Sequence, residues 1–196
     1  MKSAIYDAAV KLLTRDGYEA MTMERVAEQA GVAKGSLYNY FPNKLELLRF
    51  VHVKSFEPLE ERVDSILNSE ADALEKLRLM FRAWFEYLDE RRRLFNFLFN
   101  EHAVHKLFRP EESSGHQRAI GNLTTVIEQG IVEGTLRQVD AGRFATLLFG
   151  AGRQVCDEQV RSDGPWPMDE MLELVVDFFI RGAGPTCRDC SAKGAS

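Results

Sequence analysis

The chemistry that stands out in this chain is concentrated between Lys34 and Tyr40, in Lys34, Gly35, Ser36, Tyr38, Asn39 and Tyr40. An ammonium, a hydroxyl, a carboxamide and two phenols surround a position that has no side chain. A DNA major groove calls for such a set: donors for phosphate oxygens and base edges, and room for the backbone to approach the duplex. A core or a catalytic pocket has little use for it. Read as a short helix, the stretch cannot turn both Tyr38 and Tyr40 inward while Lys34, Gly35 and Ser36 stay exposed, so the phenols belong on the surface. Gly35 costs a helix roughly 1 kcal/mol relative to alanine, which points to a close approach there.

Other constellations read as ordinary structure. Gly150-Ala151-Gly152 opens like a dinucleotide fingerprint but lacks the third glycine and follows no strand, so it reads as small residues that let two helices approach. His102 and His105 lack a third and fourth ligand and read as a solvated helix face. Cys187 and Cys190 have redox or zinc spacing, yet stand alone in the tail as inert thiols. Arg91-Arg92-Arg93 reads as the end of one helix and a solvated bridge to the next. The sequence has no Gly-x-Ser-x-Gly elbow, Walker loop or zinc-protease signature. No catalytic residue, metal or cofactor is expected, and the chain does not read as an enzyme.

The elements that must hold the donor set are helical, and the fold class is all-α. Ile5, Ala8, Ala9, Leu12 and Leu13 recur at helical spacing, with Gly17 as a stop. Thr22 is a good N-cap for the next helix, whose inward face is Val26, Ala27 and Ala30. Gly31 suits a turn with positive φ. Leu37, Tyr38 and Phe41 give the third helix its apolar edge, and Pro42 closes it. A long helix is predicted from Asn43 to about Leu67, with Pro58 expected to kink it where it passes from one domain to the other. Further helices are predicted over 71–89, 94–107, 115–133, 141–161 and 167–181, with breaks at Arg109-Pro110, Gly134 and Gly164-Pro165.

The run from Thr22 to Lys44 closely resembles the N-terminal DNA-binding domain of the TetR family of transcriptional repressors. The family pattern Gly-Val-x-x-Gly-x-Leu-Tyr-x-Tyr/His-Phe-x-x-Lys is met at every fixed position from Gly31 to Lys44, and the resemblance runs from about Ile5 to Val51. It implies a role for each donor. Lys34 would reach bases or phosphates, Gly35 would let the backbone lie close to the duplex, and Ser36 and Asn39 would meet base edges or phosphates. Tyr38, Tyr40 and Thr22 would bond phosphate oxygens. Lys44 and the free N–H groups opening the long helix would hold another phosphate, with Arg25 as an additional contact. Ala33 departs from the Ser or Thr common in the family, which removes a cap worth about 1 kcal/mol.

Composition agrees with a soluble globular protein. The chain has 196 residues, 45% of them hydrophobic and 28% charged, and its net charge is −5. Residues 1–57 carry eight Lys/Arg against seven Asp/Glu, so the acidity lies beyond them, and a near-neutral reading head implies modest non-specific affinity. No apolar run is long enough for a membrane span, the N-terminus lacks a signal-peptide pattern, and three cysteines give no disulfide framework. A cytoplasmic protein is expected. The domains read as a DNA-binding head at 1–57, a helical ligand-binding and dimerisation domain at 58–183, and a disordered tail at 184–196.

The larger domain concentrates aromatics at Phe81, Trp84, Phe85, Phe95, Phe97, Phe99 and Phe108. Core packing would employ several; a small apolar ligand site is lined the same way, and TetR-like regulators generally have one. Phe81, Trp84, Phe85 and Phe99 are the candidate pocket residues. On the last two predicted helices, Phe144, Leu148, Ala151 and Val155 form one stripe, and Leu172, Val175, Phe178 and Phe179 another. The last helix is apolar on nearly all sides and needs burial on two faces, which a dimeric four-helix bundle would supply. The expectation is a homodimeric repressor on a palindromic double-stranded operator, released by a small apolar or aromatic inducer. The alternative is a helical interaction or enzymatic module with a vestigial DNA-binding head.

Overall fold

The computed structural model describes residues 1–100, 114–162 and 167–183, without the side chains of residues 99, 100, 114 and 180–183. His102, His105, Phe108, Cys187 and Cys190 lie outside the described residues. So do the breaks expected at Arg109-Pro110 and Gly164-Pro165 and the expected tail. Among the described residues no strand occurs. The helices are α1 (Lys2–Ala20), α2 (Met23–Ala30), α3 (Lys34–Tyr40), α4 (Lys44–Leu67), α5 (Ala73–Glu90), α6 (Arg92–Asn100), α7 (Ser114–Glu133), α8 (Ala141–Arg161) and α9 (Met168–Ala183). None of the described helices is long and apolar enough to cross a membrane.

Boundaries follow side-chain chemistry. The Thr22 hydroxyl accepts the Arg25 N–H at the start of α2, Asn43 accepts from Glu46 at α4, Asp72 from Glu75 at α5 and Asp140 from Arg143 at α8. Each satisfies a backbone donor that the helix itself cannot. Ala33 has no side chain to do the same for α3. Gly31 ends α2 at φ 65, a conformation with little steric cost only for glycine. Gly17 does not stop α1; it kinks it at φ 81 and the helix resumes to Ala20. Pro58 lies inside α4, which runs as one helix from Lys44 to Leu67 as expected.

In the head, α1 packs on α2, α4 and α6. Its core is Ile5, Ala9, Leu12, Met21, Val26, Leu37, Phe41, Leu47, Leu48 and Val51, all buried. Beyond Ser55, α4 buries Leu59 and Val63 against the body. The centre of the body is α5, which touches α4, α6, α7, α8 and α9. Polar ties fasten the far half of α4: Arg118 on α7 bridges Glu60 at 2.9 Å and Asp64 at 2.6 Å. Lys76, itself buried, donates to the Leu67 carbonyl at 3.0 Å and to Gln129 at 3.1 Å. Where α8 crosses α5, a Cβ on Gly152 would collide with the Phe81 ring, so glycine is what permits the approach. Gly150, by contrast, is exposed and has nothing near it. The arginine run ends α5 as expected, but Arg92 is half-buried and begins α6 and is not a solvated bridge. Arg91 ends α5 with its guanidinium over the Tyr87 ring, and Arg92 reaches the Ser162 carbonyl at the end of α8.

Candidate functional site

The α2–turn–α3 unit presents its donors on one surface. Leu37 is fully buried and Phe41 nearly so, anchoring α3 to the head. Tyr38 and Tyr40 remain 38% and 46% exposed, so Tyr38 is not part of the inward edge. Lys34, Gly35 and Asn39 are exposed and Ser36 half-buried. A Cβ on Gly35 would meet nothing, so no contact within the protein requires a glycine there. The Thr22 hydroxyl is exposed, accepts the Arg25 N–H and faces the Glu24 carboxylate.

Two cations expected on the DNA are engaged within the protein. Arg25 donates to the Ala20 carbonyl and pairs with Asp16, bracing the α1–α2 corner. Arg15 and Arg25 together hold the Asp16 carboxyl well below the usual carboxylate range. Lys44 donates to the Tyr18 carbonyl, and its ammonium lies 3.8 Å from the centre of the Tyr18 ring. Tyr18 in turn stacks on Phe97 of α6, with centroids 6.2 Å apart, so Lys44 ties the start of α4 to the α1–α6 contact.

Sequence reading overlooked two further residues at this surface. Glu24 pairs with Lys34 at 2.6 Å and raises its pKa, chiefly through the hydrogen bond between them. Lys2 places its ammonium 5.9 Å from the Tyr40 ring centre. An acid spaced ten residues before a lysine leaves no periodic signal, because the two meet only through the turn.

In the body, Phe81 and Phe85 are fully buried and Trp84 is 9% exposed; the Phe99 side chain lies outside the described residues. The rings form a chain: Phe81 meets Trp84 edge-on at 5.0 Å, Trp84 meets Phe149 at 5.9 Å, and Phe149 meets His116 of α7 at 4.8 Å. This aromatic cluster ties α5, α7 and α8 together.

The expected dimer stripes need correction. Leu148, Leu172, Val175 and Phe179 are buried inside the protomer, and Phe144 and Val155 are half-buried, with Phe144 edge-on to Phe179 at 5.4 Å. These residues pack α8 and α9 onto the body and are not free to meet a second chain. The uncovered apolar positions are Leu147 (68% exposed), Leu174 (59%) and Phe178 (77%), with exposed Ala151 one turn after Leu147. They stand one residue round the helix from several of those proposed, a distinction that an all-apolar helix conceals.

Comparison with known proteins agrees with this geometry. The family model described as bacterial regulatory proteins, tetR family, matches residues 5–51, and one described as tetracyclin repressor-like, C-terminal domain, matches residues 70–183. The chain is 25% identical over 180 residues to the fatty acid metabolism regulator protein of Bacillus subtilis (strain 168), covering 91% of this chain and 93% of that one. It is 30% identical over 185 residues to the HTH-type transcriptional regulator YhgD of the same organism, covering 92% and 95%. The fold is also that of the B. subtilis transcriptional regulator FadR in complex with stearoyl-CoA, with TM-score 0.72 and 22% identity over 93% of this chain and 99% of that one.

Proposed function

The chain belongs to the tetR family of bacterial regulatory proteins and is a DNA-binding transcriptional regulator, and from that premise we propose that it is a homodimeric repressor whose effector is a long-chain fatty acyl thioester. The exposed donor face of α3 carries the DNA half of this reading. Lys34, Ser36, Tyr38, Asn39, Tyr40 and Thr22 bond phosphates and base edges, and Gly35 lets the backbone come close. Arg25 and Lys44 hold the reading unit in place from behind. Two copies, paired through Leu147, Ala151, Leu174 and Phe178, set two α3 helices on successive major grooves of a palindromic site, about 34–36 Å apart or somewhat further.

The effector half rests on the likeness to the fatty acid metabolism regulator of B. subtilis and on the stearoyl-CoA bound by the fold neighbour FadR. The aromatic cluster around Phe81, Trp84 and Phe85 supplies the apolar lining that an acyl chain needs. A ligand that binds the DNA-incompetent spacing better shifts the population away from the operator. On this reading the head is 1–57, the effector and dimer body 58–183, and the protein works in the cytoplasm beside the chromosome.

The test is a gel shift of the protein on DNA from upstream of its own gene, with palmitoyl-CoA titrated in. Specific retardation that low-micromolar palmitoyl-CoA reverses is the expected result. Absence of retardation in the presence of competitor DNA sinks the regulatory assignment to that site, and retardation indifferent to palmitoyl-CoA sinks the effector.

A further inference from the structure

Gln159 on α8 is fully buried. Its side-chain N–H₂ donates to the backbone carbonyl of Phe85 on α5 at 3.1 Å. Its carbonyl oxygen, Oε1, meets no donor among the described residues, and no other described side-chain atom is both buried and unpartnered. The orientation of the carboxamide is fixed by the Phe85 carbonyl, since the flipped amide would set two oxygens against each other. A buried amide oxygen without a partner is rare in folded proteins because its lost hydration is not replaced.

The surroundings narrow what can meet it. Cys156, one turn earlier on α8, and neighbouring Val160 are both buried. Burial pushes the Cys156 thiol far above its ordinary pKa, so it stays neutral. Among the described residues Gln159 Oε1 is the one buried side-chain nitrogen or oxygen left without a partner. Arg92 on α6, which reaches the end of α8, is held by the Ser162 carbonyl and Asp89. A neutral acceptor repels a carboxylate and attracts an N–H or O–H.

We infer that Gln159 Oε1 is the acceptor for an amide N–H in the head of the effector, with the effector's apolar chain lying along the Phe81–Phe85 face of α5. The inference rests on the acyl-thioester reading above and sharpens it. The preferred ligand carries an amide a few bonds from its thioester, as acylated cysteamine carriers do, and the free fatty acid anion is disfavoured. Gln159 would be the residue that tells them apart.

The test uses two dodecanoyl probes, S-dodecanoyl-N-acetylcysteamine, which has one amide N–H, and S-methyl dodecanethioate, which has none. Their dissociation constants are measured by calorimetry on the full chain and on Gln159→Met, beside thermal melts of both proteins without probe. Wild type is expected to bind the amide probe about tenfold tighter than the methyl thioester, the size of one hydrogen bond to a group otherwise left unpaired. Gln159→Met should bind both probes equally, at the wild-type affinity for the methyl thioester, and should melt close to wild type, because removal of the unmet acceptor offsets loss of the bond to the Phe85 carbonyl. Equal binding of both probes to wild type overturns the inference and leaves the acyl effector standing. So does a variant that melts lower and loses affinity for both probes alike, since Gln159 is then structural or holds a water. Failure of both probes to bind wild type that still retards its DNA overturns the acyl-effector reading itself.

Discussion

The phenol of Tyr87 on α5 donates to the backbone carbonyl of Ser55 on α4 at 2.6 Å, at a point where both residues are fully buried. The Ser55 hydroxyl donates its one proton to the Val51 carbonyl at 2.7 Å. It can therefore only accept from Tyr6 of α1, 3.2 Å away. One residue of the long helix is thus gripped from the body by Tyr87 and from the head by Tyr6. Three positions later Pro58 offers no N–H to the Lys54 carbonyl, so α4 has one backbone bond fewer just where the two grips meet. On the proposed effector reading, a displacement of α5 would reach the head through this point.

Tyr87→Phe keeps the ring under the Arg91 guanidinium and removes only the hydroxyl. With a buried carbonyl left short of a partner, the expected loss is about 1–2 kcal/mol in urea unfolding. The variant should bind operator as wild type does but need a higher effector concentration for half-maximal release. An unchanged release curve in a gel-shift titration would show that Ser55 carries no signal.

Lys34 and Lys44 should part company when each is replaced by alanine. Lys34 is exposed, paired with exposed Glu24, and 5.8 Å from the centre of the exposed Tyr38 ring. Lys34→Ala should therefore leave the melting temperature alone and flatten the salt dependence of operator binding by about one counterion. Lys44 is bonded to the Tyr18 carbonyl and lies on its ring. Lys44→Ala should lower stability by about 1–2 kcal/mol and weaken DNA binding through the displaced start of α4. If Lys44→Ala melts like wild type and flattens the salt slope, its ammonium works on a phosphate after all.

How much of this was legible depends on how local the signal was. The reading head could be found because its turn, its caps and its exposed donors lie within two dozen residues, and each has a local physical signature, as with Thr22, Gly31 and Asn43. The all-α class followed from periodicity and is borne out by the fold. The engagement of Arg25 by Asp16 and of Lys44 by Tyr18 was not legible, because both pairs meet through tertiary packing across a kink at Gly17 that sequence reading took for a stop. On α9 the periodic signal failed for the opposite reason. With Leu172, Leu174, Val175, Val176, Phe178 and Phe179 all apolar, composition says that two faces are covered, and only the body's position says which is which. Gln159 gave no signal at all, since a glutamine on a helix is ordinarily solvated.

Acid should reveal His52. Burial lowers its pKa from the ordinary 6.5 to about 4, and its ring lies 5.2 Å from that of Phe56. Between pH 6.5 and 4 the unfolded chain takes up a proton that the folded protein refuses, so stability falls as pH falls through that window. The full difference is about 3 kcal/mol. Urea unfolding at fixed protein concentration, at pH 7 and again at pH 4.5, should show wild type losing about 2–3 kcal/mol more than His52→Leu. Parallel losses in the two proteins would mean that His52 protonates freely in the folded state.

The exposed stripe on α8 and α9 makes the sharpest claim about assembly. Leu147 and Ala151 are one turn apart on α8, as are Leu174 and Phe178 on α9, and the buried neighbours Leu148, Val175 and Phe179 point the other way. A phenylalanine 77% exposed forgoes most of the roughly 1.5–3 kcal/mol that burying such a side chain supplies, and a second copy of the same stripe would recover it on both chains at once. Phe178→Glu should therefore yield a folded monomer, with helical circular dichroism retained and operator affinity lost because the paired half-sites are no longer read together. Phe179→Glu, one residue on and 8% exposed, should instead unfold the body. Sedimentation velocity at micromolar concentration separates these outcomes. A wild-type monomer, or a Phe178→Glu protein that still sediments as a dimer, would move the interface away from this stripe.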